Sequence, residues 1–167
     1  QSLVDVMMKL ARNRIGALIV LPGREPLERH IDGGMYLDGR LSEPLLLSLF
    51  DPASAGHDGA ILVRANKVVR FAAHLPLSTD REKLGAATGT RHAAALGLAE
   101  RSDALCLVVS QERGEISIAH AGEIRPVATA AELAEAIHSF IERFAGAPVA
   151  RGGLGRVGGA WREALLA

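Results

Sequence analysis

Two clusters of residues in this chain could do phosphate chemistry. His57-Asp58-Gly59-Ala60 stands just ahead of an apolar run, and Gly89-Thr90-Arg91-His92 opens a helical stretch. A carboxylate held at a strand mouth can bind a divalent cation or accept a hydroxyl proton. The glycine after it lets a ligand approach the backbone closely. A helix N-terminus offers unpaired N–H groups and partial positive charge. Thr90 adds a hydroxyl there, and Arg91 a fork that suits phosphate oxygens. Together they suggest a site for phosphate plus metal. Each is weak alone: Asp-Gly is a common turn pair, Thr90 can serve only as a helix cap, and Arg91 can be solvated.

A third cluster, Ser110-Gln111-Glu112, follows the apolar run 104–109. Beyond a strand's carboxyl end, Ser110 can donate to phosphate and Glu112 can reach a metal. The same residues with Arg113-Gly114 also make an ordinary turn. His30, His74, His120 and His138 show no ligand spacing. No Walker loop, dinucleotide fingerprint, zinc-finger spacing or serine-hydrolase elbow occurs.

The elements that must position these residues are legible. Leu3, Val6, Met7 and Leu10 mark one helical face. Residues 16–21 form a buried strand ended by Pro22-Gly23. Residues 24–42 are polar, with a short strand around 35–37. Ser42-Glu43-Pro44 starts a helix that Asp51-Pro52 stops. Runs 59–64 and 67–75 are strands joined by a tight turn at Ala65-Asn66, and 76–88 is a charged loop. Residues 89–101 are helical, 104–110 a buried strand, and 116–119 a half-buried one. Gly122 turns the chain into 123–127. Leu133, Ile137, Phe140, Ile141 and Phe144 mark an amphipathic helix, with Thr129 as N-cap and Glu132 completing a capping box. Residues 161–167 can add a short helix. Alternating helices and strands with interspersed hairpins give an α/β class: a central twisted mixed β-sheet flanked by helices.

The bulk numbers narrow the partners. At 167 residues the chain makes one domain with a sizeable core. Its 19 basic residues balance 19 acidic ones, so no field of one sign advertises nucleic acid or a membrane. Only 4% of residues are aromatic, which argues against base-stacking platforms. Cys106 is the single cysteine, set in an apolar run; it reads as a small buried hydrophobe in a reducing compartment. No run is long enough for a membrane span and no signal-peptide pattern is visible. The expectation is a cytoplasmic domain. The start at Gln1 is what a piece of a longer protein would show, one carrying a tether, such as a membrane anchor, or a second domain elsewhere.

The motifs in series resemble the diadenylate cyclase domain family, of the type found at the DisA N-terminus, which makes cyclic di-AMP from two ATP. His57-Asp58-Gly59-Ala60, Leu75-Pro76-Leu77-Ser78, Gly89-Thr90-Arg91-His92, Ala94-Ala95-Leu96-Gly97 and Ser110-Gln111-Glu112 carry the resemblance in order. Residues 16–21, Leu37-Asp38-Gly39 and 45–50 agree with it. It covers residues 1–145 and leaves 146–167 as a Gly-rich C-terminal extension. The resemblance implies one ATP per protomer and two protomers face to face, as a homodimer or within a higher homo-oligomer. It implies Asp58 activating the 3′-hydroxyl, with Arg91 also catalytic. Gly59, Ala60, Leu75, Gly89, Thr90, Arg91, His92 and Ser110 would bind ATP. His57 and Glu112 would hold Mg²⁺ or Mn²⁺. The chain departs from the family's Arg-His-Arg motif at Ala93, and Gln111 stands where an acidic residue is common. Ala93 leaves a second reading open, a degenerate domain that holds ATP or cyclic di-AMP as a sensor. A third, an interaction domain with an accidental motif match, requires five segments to coincide.

Overall fold

In a computed structural model, residues 2–85 and 89–145 are described. The expected extension 146–167, with its short helix, and the end of the 76–88 loop lie outside the described residues. The sequence folds in the order α1 (Leu3–Arg12), β1 (Ala17–Leu21), β2 (Met35–Arg40), α2 (Glu43–Phe50), β3 (Ala60–Arg64), β4 (Lys67–Ala73), α3 (Arg81–Leu84), α4 (Thr90–Ala99), β5 (Leu105–Val109), β6 (Ile116–His120), β7 (Glu123–Val127) and α5 (Ala130–Ala145). The strands form one sheet in the order β2-β4-β3-β1-β5-β6-β7. β1 and β3 run parallel and every other neighbouring pair is antiparallel. This is the mixed sheet flanked by helices that the sequence led us to expect, and it is mostly antiparallel.

β1 and β5 are buried along their whole length because helices cover both faces of the sheet. Side chains alternate between the faces. Ala17, Ile19 and Leu21 join Leu105, Leu107 and Val109 in a core that α1, α2 and α5 close. Leu18 and Val20 join Cys106 and Val108 in a second core under α4. The helix periodicity seen in the sequence therefore faces the first core through Leu3, Met7, Leu10, Ile137 and Ile141. α4 is lined with alanines so that it can lie close to the sheet.

Local signals set the ends. Ser2 and Asp5 form a capping box on α1, and Ser42 caps α2 with Pro44 in its first turn. Ala65 and Asn66 both take positive φ, the conformation a two-residue hairpin turn requires. At α5, Thr129 Oγ1 accepts from the Glu132 N–H as expected. Glu132 reaches back to the Ala128 N–H rather than to that of Thr129, so the reciprocal half of the box is displaced by one residue. Within the expected loop 76–88 the chain makes the short helix α3, capped by the Asp80 side chain.

Candidate active site

Strand register gathers the site. β1 and β3 are parallel with Ile19 opposite Ile61, so Gly16 and Asp58 each lie three residues upstream of a paired position. Ala17 pairs antiparallel with Val109, so Gly16 and Ser110 are the next step outward on β1 and β5. Asp58, Gly16 and Ser110 thus stand in a row across one end of the sheet. The sequence put Asp58 at a strand mouth and Ser110 beyond a strand's carboxyl end, and the mixed sheet brings the two kinds of end together: β5 contributes its carboxyl end, while β1 and β3 contribute their starts.

α4 points its N-terminus at the same end. Gly89 is the N-cap, with no side-chain cap, so Thr90 occupies the first helical turn and does not cap the helix. The first-turn N–H groups of Thr90 and Arg91 precede the first intrahelical bonds, which run from His92 and Ala93 to the Gly89 carbonyl. Gly89, Thr90, Arg91 and His92 line one wall of a cleft of about 550 Å³, opposite Ser110 and Glu112. That volume lies in the range of sites for nucleotide-sized ligands. Lys83, Arg113, Ser117 and Arg125 line it too, and no sequence motif had singled them out. Arg113 comes with the β5–β6 connection, while α3, β6 and β7 bring Lys83, Ser117 and Arg125 there.

The Ser110 carbonyl accepts from the Gly114 N–H and its amide donates to Glu115, so this segment is also the tight β5–β6 connection. Ser110 Oγ accepts from the Arg113 N–H at 3.2 Å. Site and turn readings of these residues are compatible. His92 is buried, and burial is the main cause pushing its pKa below 6.5; Arg113 and Arg91 push the same way and Glu115 opposes them. Burial therefore disfavours the protonated imidazole.

Asp58, Gly59, Ala60 and Leu75 do not line the cleft. His57 is outside the lining too, and Arg91 reaches it from the cleft, its Nη2 donating to the His57 carbonyl, next to Asp58, at 3.3 Å. Arg91 Nε is buried without a protein acceptor, an arrangement that costs about 1–3 kcal/mol and asks for a reason. Gly59 has φ +100°, and a Cβ there would meet the Ala72 and Ala73 backbone at 2.8 Å. Leu75 is buried in the core under α4. Its loop is fastened to that helix by the Ser78 N–H donating to the Ala93 carbonyl at 2.9 Å.

Donor chemistry at the site fits a divalent cation carried with phosphate. Among the described residues no three His, Cys, Asp or Glu side chains converge into a cage. Mg²⁺ in nucleotide sites typically needs only one or two carboxylates plus the substrate's phosphates. The exposed Asp58 carboxylate makes no hydrogen bond or ion pair among the described residues. His57 Nδ1 lies 2.5 Å from the Ser54 carbonyl, which can only accept, so Nδ1 is the donor there and Nε2 is the ring nitrogen left for a ligand. Glu112 is exposed at the cleft rim.

An α/β sheet with an uncapped helix N-terminus and arginines around one cleft offers donors suited to an anionic ligand. The chain belongs to the DAC family, described as DisA bacterial checkpoint controller nucleotide-binding, which matches residues 4–124. It is 43% identical over 126 residues to the cyclic di-AMP synthase CdaS of Bacillus subtilis, covering 75% of this chain and 60% of that protein. It is 40% identical over 124 residues to a diadenylate cyclase of Listeria monocytogenes, covering 74% of this chain and 45% of the other. The crystal structure of DacA from Staphylococcus aureus superposes with a TM-score of 0.78 at 36% identity, covering 84% of this chain and 93% of that one. The chain spans 45–60% of the length of these two curated relatives. No described helix is long and apolar enough to cross a membrane.

Proposed function

We propose that this chain is a metal-dependent diadenylate cyclase that condenses two ATP into cyclic di-AMP and two pyrophosphates. The observation that carries the reading is the convergence of the α4 N-terminus, Arg91 and Ser110 on one nucleotide-sized cleft, with Arg91 linked to the backbone beside Asp58. Family membership supports it.

In this reading each protomer binds one ATP. The N–H groups at the start of α4, with Thr90, Arg91 and Ser110, neutralise phosphate charge. His92 stays neutral and shapes the wall, Gly59 and Ala60 let the nucleotide approach the backbone, and the Leu75 loop reads the adenine. One site holds no acceptor hydroxyl for its own ATP, so two protomers must face each other. The 3′-oxygen of one ATP attacks the α-phosphorus of the other. The new P–O bond forms as the bond to the bridging oxygen breaks, and the hydroxyl proton passes to Asp58. A second, symmetrical transfer closes the ring. Phosphoryl transfer depends on such positioning and neutralisation more than on covalent help. Mg²⁺ or Mn²⁺ brought in with the triphosphate and met by His57 or Glu112 would supply further charge neutralisation.

Ala93 bears on the rate. Losing one charge-assisted contact typically costs ~1.5–3 kcal/mol, which corresponds to about ten- to a hundred-fold in rate. The test is to incubate this chain and Ala93→Arg with ATP and Mn²⁺ and to measure cyclic di-AMP by mass. Product from both, faster from the arginine variant, is expected. Tight ATP binding with product from neither would favour the sensor reading that Ala93 motivates.

A further inference from the structure

Gly16 belongs to none of the motifs, yet the site closes around it. A Cβ built on Gly16 would lie 2.5 Å from Arg91 Nη1, 2.9 Å from Arg91 Cζ and 3.2 Å from Gln111 Cβ. Real Cβ atoms do not approach that closely, so the guanidinium occupies the space a side chain at position 16 would fill. From there Nη2 reaches the His57 carbonyl, while Nε stays buried with no protein acceptor. A long, flexible cation normally extends into water. Here it is laid back across the start of β1, between the β5–β6 connection and the turn that carries Asp58.

We propose that Gly16 is a positioning residue: its missing side chain seats the Arg91 guanidinium, which clasps the His57 carbonyl and so fixes Asp58 relative to the N-terminus of α4. The proposal rests on the cyclase reading of the site for its functional consequence, and on geometry alone for the clasp. Strand register explains why position 16 was chosen. It lies in the same row as Asp58 and Ser110, the row that Arg91 must cross to join the two sides. Arg91 then works through the backbone of the Asp58 turn.

The test is Gly16→Ala, read by hydrogen exchange of residues 54–60 and by steady-state kinetics with ATP and Mn²⁺. Losing one hydrogen bond speeds local exchange roughly two- to tenfold, and residues 54–60 are expected to show this while β5 and α1 keep native protection. Product formation is expected to lose about tenfold in kcat with a smaller change in KM for ATP, since orientation rather than binding is lost. Native protection across residues 54–60 in the folded variant would overturn the clasp, as would deprotection spread evenly over the molecule. Should Gly16→Ala not fold, Arg91→Gln in the native background must give the same local deprotection, and its absence would overturn the proposal. If the native chain makes no cyclic di-AMP, the cyclase reading fails while the exchange data still decide the clasp.

Discussion

Gly97 and Pro76 are in backbone contact. A Cβ on Gly97 would fall on the Pro76 carbonyl oxygen, 2.7 Å from its carbon and 2.8 Å from Ser78 N. The last turn of α4 therefore carries a glycine because the Leu75–Pro76 segment lies directly on it. Ser78 completes the seam, its hydroxyl donating to Glu100 Oε1 at 2.7 Å. The segment expected to read the adenine is thus fixed to the helix expected to hold the phosphates.

Gly97→Ala is expected to destabilise the fold. Alanine would gain about 1 kcal/mol in helix propensity, but the clash is with backbone, and overpacking of this kind costs about 1–3 kcal/mol or more. The clash wins because neither the helix nor the Pro76 carbonyl can turn away. Thermal unfolding should show Tm lowered by a few degrees, about 2–4 °C for each kcal/mol at this size. An unchanged or raised Tm would mean the segment lies elsewhere.

His92 sets a pH dependence of stability. Its pKa in the folded protein is pushed below 6.5, first by burial and then by Arg113 and Arg91. Between that lowered value and 6.5 the unfolded chain binds more protons than the folded one, so stability rises with pH there. The contribution is complete above pH 6.5 and is lost as pH falls from 6.5 toward the folded value. Urea unfolding midpoints between pH 7.5 and about 5.5 should therefore fall more steeply for the native chain than for His92→Gln. Parallel slopes would contradict the buried, neutral imidazole.

Cys106 should be inert in the folded protein. It is fully buried in β5, and burial raises its pKa to about 12, so almost no thiolate exists near neutrality. A thiol reagent at pH 8 should modify it only on unfolding, in step with loss of secondary structure. Rapid modification of the native chain would show that β5 is open to solvent.

The proposed face-to-face arrangement predicts that dilution slows the reaction per chain. Specific activity is expected to fall as enzyme concentration drops below the dimer's dissociation constant. A chelator should abolish product, and Mn²⁺ should restore it. Activity per chain that stays constant on dilution to the detection limit would argue against face-to-face catalysis.

The sequence made the periodic parts of this fold legible and the relational parts obscure. α1 and α5 announced themselves by a helical apolar period, and β1 and β5 by uninterrupted apolar runs that burial on both sheet faces writes. The hairpin at Ala65-Asn66 was visible from turn chemistry. α3 was not, because four residues under an Asp80 cap are too few to show a period. β2 runs on to Arg40, past the expected 35–37, as an exposed edge strand with little apolar pattern to read. In the site, the residue types of 57–60, 89–92 and 110–112 were informative because their chemistry is local. Gly16, Lys83 and Arg125 were missed, since their significance depends on register and on which elements meet at the cleft.

The central claim, that Asp58 serves a cyclase reaction on two ATP, is tested most directly by incubating the native chain and Asp58→Asn side by side with ATP and Mn²⁺ and quantifying cyclic di-AMP by mass. The account expects cyclic di-AMP and pyrophosphate from the native chain, and at least a hundredfold less (about 3 kcal/mol) from Asp58→Asn with its fold intact. Equal product from the two, or none from the native chain and none from Ala93→Arg, would contradict it.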